Sequence, residues 1–152
     1  MLGPMTYRTA TRRDLPDVLA LLEGDEDVVD PGSVEIDDAH ERAFAAIAAD
    51  DRNEIIVLEG PGGALLGCLQ LTYIPGLPRL GQERALIEAV RIRADRRGGG
   101  LGREMVAWAV ERARDRGCGL VQLTSHTRRA DAHRFYESLG FVRSHHGFKL
   151  AL

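Results

Sequence analysis

The spacing of hydrophobic residues changes several times along the chain, and each change predicts a new element. Helical spacing alternates with stretches that are apolar at every second residue or throughout, and the latter are typical of strands. This pattern predicts helices at 11–24, 37–50, 100–116 and 130–140. It also predicts strands at 6–10, 53–60, 64–74, 84–93, 119–125 and 141–152.

Residues at the predicted ends support several of these boundaries. Asp14 is a candidate N-cap, Pro16 suits a first helical turn, and Gly24 ends the same helix. The sequence Pro-Gly-Gly at 61–63 is a turn that joins two strands into a hairpin. Gly140 is the predicted stop of the last helix.

The resulting order is β-α-α-β-β-β-α-β-α-β, which indicates a mixed fold. The strand–helix–strand unit from 84 to 125 predicts a right-handed parallel crossover, and the hairpins predict antiparallel pairs. We therefore expect an α/β (α+β) fold with a mostly antiparallel central sheet, one parallel βαβ crossover and helices on both faces. The length suits a single domain over 1–152.

Composition and net charge argue against some classes of binding partner. The net charge of −3 argues against a general nucleic-acid or membrane-surface binder, although arginines are dense at 91–103 and 112–116. No apolar run is long enough to span a bilayer, and the amino terminus lacks the apolar core of a signal peptide, so we expect a cytoplasmic protein. Cys68 and Cys118 lie among apolar residues, as buried free thiols do.

A glycine-rich turn precedes the helix at 100–116. Glycines inside a helix cost stability, so four of them flanked by arginines indicate that bare backbone is needed there. The start of a helix offers unpaired N–H groups and the positive end of a dipole, and together these predict an anion site. The Lys-Ser/Thr of a Walker A loop is missing, and Met105 stands where a Rossmann fingerprint has its third glycine. The alternative is a turn that merely closes a strand–helix connection.

Two motifs together resemble the GNAT superfamily of N-acetyltransferases. One is the family's Arg/Gln-x-x-Gly-x-Gly/Ala pattern, which here runs through Arg97, Gly98, Gly99, Gly100, Leu101 and Gly102. The other is its carboxy-terminal Tyr-x-x-x-Gly-Phe signature, found within "HRFYESLGF" at 133–141. The order of predicted elements also resembles the GNAT fold over essentially the whole chain.

The resemblance implies acetyl-CoA, or another acyl-CoA, as co-substrate. Its pyrophosphate would lie on the amides of Arg97 to Gly102, next to Arg103. Main-chain groups of Val90, Arg91 and Ile92 would bind the pantetheine arm. One departure is Arg129, which stands where many members carry an asparagine; Arg128 or Arg129 would instead approach a cofactor phosphate.

Two residues are candidates for proton transfer. In the family that this chain resembles, the tyrosine at the position of Tyr136 donates a proton to the departing thiolate. Periodicity alone instead favours a tyrosine that packs in the core. Glu88 lies in an apolar strand with Leu86, Val90 and Ile92 on one predicted face, where burial would raise its pKa toward that of a base. The open alternative for Glu88 is a salt bridge to Arg84 or Arg91. A main-chain N–H within 90–92 would stabilise the oxyanion.

The remaining candidates concern the acceptor. His126 and Tyr73, each near the end of a predicted strand, are candidates for binding it. The histidines match no common zinc spacing, so no metal is expected. The acidic segment 23–30 is either a solvated loop or, as in the family, a cover for the acceptor that attracts a cationic amine.

The sequence therefore predicts an enzyme that moves an acetyl group from acetyl-CoA directly to the amine of a small molecule. The alternatives are a noncatalytic acyl-CoA sensor or interaction module, a protein or peptide N-acetyltransferase, and a Rossmann-like NAD enzyme. A homodimer is possible, and an exposed edge formed by the last strand would be a plausible contact.

Overall fold

The fold is built on a five-stranded sheet in which strand order follows chain order. The computed structural model describes residues 4–152, so the first three residues of the predicted domain lie outside the described part. The strands are β1 (Thr6–Thr9), β2 (Asn53–Glu59), β3 (Leu65–Ile74), β4 (Arg84–Ile92) and β5 (Leu120–Leu123). The longer helices are α1 (Leu15–Glu23), α2 (Asp38–Ala48), α3 (Leu101–Arg116) and α4 (Ala130–Ser138).

The sheet is mostly antiparallel, as the hairpin signals predict. β1 pairs with β2, β2 with β3 and β3 with β4, all antiparallel. β5 lies next to β4 and runs parallel to it. The backbone N–H of Gly119 donates to Glu83 O at 3.0 Å, just before both strands begin. The mixed fold class predicted from the sequence is therefore confirmed.

Helices cover both faces of the sheet. Because successive strand residues point to opposite faces, Val57 and Leu58 of β2 mark the two sides. Val57 packs with α1, and α2 joins α1 on that side through Phe44. Leu58 packs with Leu101 at the start of α3 on the other side. Burial of these apolar side chains is the main stabilising contribution, at roughly 25 cal/mol per Å².

The start of α1 differs from the prediction. Asp14 occupies the N-cap position, but its side chain caps no helical N–H. Its carboxylate accepts two bonds from the Arg8 guanidinium, at 2.7 and 2.9 Å, and one from the backbone N–H of Thr11, at 2.7 Å. Arg8 also donates to Glu59, at 2.7 Å. The buried Asp14 therefore joins β1 to the first helix instead of capping it.

We expect Asp14→Asn to lower the free energy of unfolding by about 2 kcal/mol, because the amide leaves the Arg8 charge poorly paired at a largely buried site. The hydrogen bonds from Arg8 hold the pKa of Asp14 below its ordinary value. Its contribution is therefore complete above the ordinary carboxyl pKa and is lost as the pH falls toward the lower folded-state pKa. Urea unfolding at pH 7 and at pH 3 measures both effects. Asp131→Asn, in an exposed pair with Arg134, is the control and should change neither.

Contacts divide the chain into two compact units, one ending at Gln122 and the other formed by Leu123–Leu152. Within the second unit, α4 is present, but the predicted strand at 141–152 does not form. Alternation alone does not make a strand, which needs a paired neighbour, and no described strand pairs with this segment. The sheet edge suggested as a dimer contact is accordingly not formed there. The single domain over 1–152 stays a prediction.

Candidate functional site

The glycine turn between β4 and α3 leaves a bare backbone surface. Gly98 and Gly100 have φ angles of 80° and 84°, in the left-handed region that side chains disfavour. A Cβ built on either glycine would meet no atom within 4 Å, so the space beside this backbone is open. The sequence signal of clustered glycines thus corresponds to an exposed stretch of bare backbone that a ligand can approach closely.

This bare backbone lies at the amino-terminal end of α3. Gly100 is the N-cap, and no side chain caps the helix. The amide of Glu104 donates to Gly100 O at 3.1 Å, so the amides of Leu101, Gly102 and Arg103 precede the first helical hydrogen bond. These amides and the dipole of a 16-residue helix favour an anion. The geometry fits a pyrophosphate.

Arg97 is the first residue of the motif, and its side chain bonds two backbone carbonyls. Its Nε donates to the carbonyl of Ile92 at 3.1 Å, and its Nη2 donates to the carbonyl of Gly24 at 3.4 Å. Both acceptors are neutral, and no carboxylate of residues 4–152 pairs with this guanidinium. Its positive charge therefore stays available to an anion on the turn.

β4 contains a bulge that the sequence pattern does not reveal. Glu88 is opposite Gln70 and Arg91 is opposite Cys68, so β4 has one more residue than β3 between these pairs. Ala89, inside the bulge, has a φ of 53°. The extra residue reverses the alternation, and the predicted common face of Leu86, Glu88, Val90 and Ile92 is therefore wrong. Ile92 packs on the α3 side with Leu58, while Glu88 lies on the α1 side.

Glu88 is exposed, so the expectation that it is buried is wrong. The suggested salt bridges to Arg84 and Arg91 are also absent from the described residues. Arg91 instead donates to the carbonyl of Val90 at 2.9 Å. The bulge thus places a solvent-accessible carboxylate on the sheet face that carries α1 and α2. A carboxylate so placed is accessible to a substrate.

The thiol of Cys68 lies behind the bulge. Its Sγ donates to the carbonyl of Ala89 at 3.9 Å, and the residue is 1% exposed. Burial raises its pKa to about 12. The expected buried free thiol is confirmed for Cys68, whereas Cys118 is half-buried and also free. Burial and then the Glu83 carboxylate raise the pKa of Cys118.

Tyr73 belongs to an interior network. It is 3% exposed, and its hydroxyl donates to a Glu54 carboxylate oxygen at 3.0 Å. Arg112 of α3 pairs with the same carboxylate, and the Arg116 guanidinium lies 4.0 Å from the centre of the Tyr73 ring. Burial, followed by the Glu54 charge, raises the pKa of Tyr73 to about 12. This environment makes Tyr73 a structural residue, and we do not place it in the acceptor site.

The second unit contains Tyr136 on α4, half-buried between aromatic rings. Phe135 and Phe141 contact its ring edge to face, with centroids 5.2 and 5.9 Å away. Arg129 is exposed at the beginning of α4. His126 is exposed, and its Nδ1 accepts from the backbone N–H of Arg128 at 3.1 Å. The carbonyl of His126 is 2.8 Å from a ring nitrogen of His133.

Among residues 4–152, no three histidines, cysteines or carboxylates come together as a metal site. In the same range, no helix has the length and hydropathy of a membrane span.

An open helix start beside the end of a strand, in a mixed sheet, is a typical place for a phosphate group to bind in α/β proteins. Residues 18–141 match the model of the acetyltransferase (GNAT) family. The chain belongs to that family, and the resemblance carried by the two motifs is confirmed.

Solved structures share the fold over nearly the whole chain. One, described as a transcriptional regulator from Bacillus halodurans C-125, has a TM-score of 0.86 and 42% identity, over 98% of this chain and 100% of that one. A putative acetyltransferase from Agrobacterium tumefaciens str. C58 has a TM-score of 0.82 and 33% identity, over 97% and 99% of the two chains.

A curated relative is similar over a shorter stretch. The aminoalkylphosphonate N-acetyltransferase of Salmonella typhimurium (strain LT2) is 45% identical over 56 residues, which are 37% of this chain. The match covers 36% of that relative's own length.

Proposed function

We propose that this protein transfers an acetyl group from acetyl-CoA directly to the amine of a small molecule. The observation that carries the proposal is the open glycine turn at the uncapped start of α3, in a chain of the GNAT acetyltransferase family. The turn offers backbone amides and an unpaired arginine charge to a pyrophosphate. Acyl-CoA supplies the activated acetyl group when bound.

The residues assigned to the cofactor lie in two units of the chain. In the first, the amides from Arg97 to Gly102 hold the pyrophosphate, and Arg103 adds charge beside them. The main chain of Val90 to Ile92 holds the pantetheine arm and provides the oxyanion donor. In the second unit, Arg129 is exposed and suits a cofactor phosphate.

Direct transfer is favoured over an acyl-enzyme. A thioester intermediate on the protein would require a cysteine thiolate, and the raised pKa values of Cys68 and Cys118 keep both thiols protonated at neutral pH. Cys68 is in addition inaccessible. The amine of the acceptor therefore attacks the thioester carbonyl itself.

Two side chains transfer the protons of that step, Glu88 as the general base and Tyr136 as the general acid. Glu88 accepts the proton that the amine loses as its nitrogen bonds to the carbonyl carbon. Tyr136 gives a proton to the sulfur as the carbon–sulfur bond breaks. The products are an amide and a free thiol, and solvent returns a proton to Tyr136 and removes one from Glu88. His126 is proposed as a contact for the acceptor.

The acceptor class follows from the curated relative. The name of that protein specifies aminoalkylphosphonates, so a small primary amine that carries an anionic group is the first class to test. The test is a panel of aminoalkylphosphonates, polyamines, amino sugars and short peptides, followed by detection of released thiol. Saturable thiol release with a small amine supports the proposal. Turnover with peptides alone would favour a protein or peptide acetyltransferase instead.

A second candidate is a noncatalytic acyl-CoA sensor, favoured by one specific observation. The relative with 42% identity is described as a transcriptional regulator. A sensor would bind acetyl-CoA and release no thiol with any amine. The same panel, run beside calorimetric binding of acetyl-CoA, therefore separates the two candidates.

We expect Tyr136→Phe to lower kcat about 100-fold, because the departing thiolate loses its proton donor. The phenyl ring keeps the edge-to-face contacts with Phe135 and Phe141, so the aromatic packing around position 136 should be retained. Steady-state kinetics and calorimetry measure the effect, and the Kd for acetyl-CoA should equal that of the parent protein. Unchanged kcat would remove Tyr136 from the mechanism.

A further inference from the structure

We infer that Arg97 is a positioning residue that transmits the binding of acetyl-CoA to the segment between α1 and α2. The first part of that connection, residues 24–31, is here called the α1–α2 segment. The inference rests on the proposed function and adds to it a specific contact through which the cofactor orders the acceptor side of the site. The contact is the bond from Arg97 to the carbonyl of Gly24.

A cleft lies between the α1–α2 segment and the residues that follow β4. Gly24, Asp27 and Val28 belong to the lining on one side, and Arg93 and Ala94 belong to the other. Arg97 crosses between these sides, because its guanidinium bonds both Ile92, at the end of β4, and Gly24. Arg97, the first residue of the glycine-turn motif, therefore also bonds the segment that lines the cleft.

Gly24 is a firm point of attachment. Its N–H donates to the carbonyl of Ala20 at 2.9 Å, which ends α1. A Cβ at this position would lie 2.8 Å from the carbonyl oxygen of Asp27 and 3.1 Å from that of Ala20. The backbone is thus closely packed around Gly24. A hydrogen bond that restrains the Gly24 carbonyl therefore also restrains the residues packed against it.

The donors of Arg97 allow it to bind both partners at once. Its bonds to the two carbonyls use Nε and Nη2 and leave the N–H groups of Nη1 for another acceptor. A pyrophosphate oxygen on the turn fits that role, since a charged acceptor forms the stronger hydrogen bond. The bound anion then holds the guanidinium in place and, through Gly24, restrains the α1–α2 segment.

The segment lies on the side of the sheet that carries Glu88. α1 packs on the face marked by Val57 and Cys68, and the β3–β4 register puts Glu88 on that same face. Ordering the α1–α2 segment therefore shapes the sheet face that presents the candidate base. Binding of acetyl-CoA should therefore raise the affinity for the acceptor amine. By thermodynamic linkage, the acceptor should raise the affinity for acetyl-CoA by the same factor.

The test uses amide hydrogen exchange of residues 24–31, with acetyl-CoA as the added ligand. In the parent protein, acetyl-CoA should slow exchange in this segment about fivefold or more. Arg97→Lys keeps the charge but cannot donate to both carbonyls, so at saturating acetyl-CoA it should lose most of the slowing. Arg96→Gln is the matched control, since Arg96 has no side-chain partner in the described part of the chain. Acetyl-CoA should therefore slow amide exchange of residues 24–31 in the Arg96→Gln variant as it does in the parent protein.

A kinetic readout separates positioning from folding. With acetyl-CoA saturating, Arg97→Lys should raise the KM of the best amine in the panel about fivefold, and Arg96→Gln should leave it within about twofold. Gly24→Ala, which displaces the same carbonyl from the other end, should reproduce the Arg97→Lys effect. The KM of the amine in the double variant, Arg97→Lys with Gly24→Ala, should then be no higher than in either single variant.

Specific results would overturn the inference. Equal exchange and equal KM in Arg97→Lys and Arg96→Gln would show that Arg97 supplies charge alone. Exchange that is unchanged or faster with acetyl-CoA in the parent protein would show that no such ordering occurs. Absence of acetyl-CoA binding to the parent would instead remove the proposed function, so the two failures are distinguishable.

Discussion

Gly99→Glu is expected to abolish the binding of acetyl-CoA, raising its Kd about 100-fold or more. The added carboxylate would stand beside the pyrophosphate, and like charges placed together cost several kcal/mol. Gly99 is the suitable position because its backbone is not in the left-handed region, unlike Gly98 and Gly100. Its Cβ would meet no atom closer than Arg96 O at 3.9 Å, so the fold accepts a side chain here.

Gly99→Ala is the matched control for this prediction. It adds the Cβ without the charge, and acetyl-CoA should still bind within about tenfold of the parent affinity. Isothermal calorimetry measures both variants, and their melting temperatures should equal that of the parent. Tight binding by Gly99→Glu would mean that the pyrophosphate does not lie on the glycine turn, and the cofactor residues proposed above would have to be reassigned.

Glu88→Gln is expected to lower kcat about 100-fold at neutral pH, because the amine loses the group that accepts its proton. The loss should shrink at high pH, where hydroxide can take this proton in place of the carboxylate. The exposed glutamine makes no new buried contact, so stability and the Kd for acetyl-CoA should not change. Rates of thiol release across a pH series provide the measurement.

Glu111→Gln serves as the control for the loss of an exposed carboxylate. Glu111 forms an exposed ion pair with Arg114 on α3 and should have no effect on turnover. A Glu88 variant that behaves like this control would leave Glu88 as a solvated strand residue. A loss that is the same at every pH would point to a role other than proton transfer.

Much of the fold was predictable from local pattern. The helical spacing of apolar residues at 100–116 predicts α3, and Leu101, Met105 and Ala109, which follow that spacing, are all buried. The Pro-Gly-Gly sequence predicted the β2–β3 hairpin, which is present. Alternation failed at the carboxy terminus, where Phe148 and Leu150 keep strand spacing but are exposed without a partner strand. A strand depends on its neighbour, and a single segment does not contain that information.

For the site, the chain by itself determined where a bare backbone turn meets the start of a helix, and it predicts an anion there. Glycines leave the backbone bare wherever they occur, and a helix start has unpaired amides in any fold, so "RRGGGLG" was sufficient. Tertiary structure decided the surroundings of the candidate residues. The bulge at Ala89 exposes Glu88, packing against Glu54 encloses Tyr73, and folding brings Arg97 to Gly24. Each of these depends on contacts between residues far apart in the chain, and local spacing does not encode them.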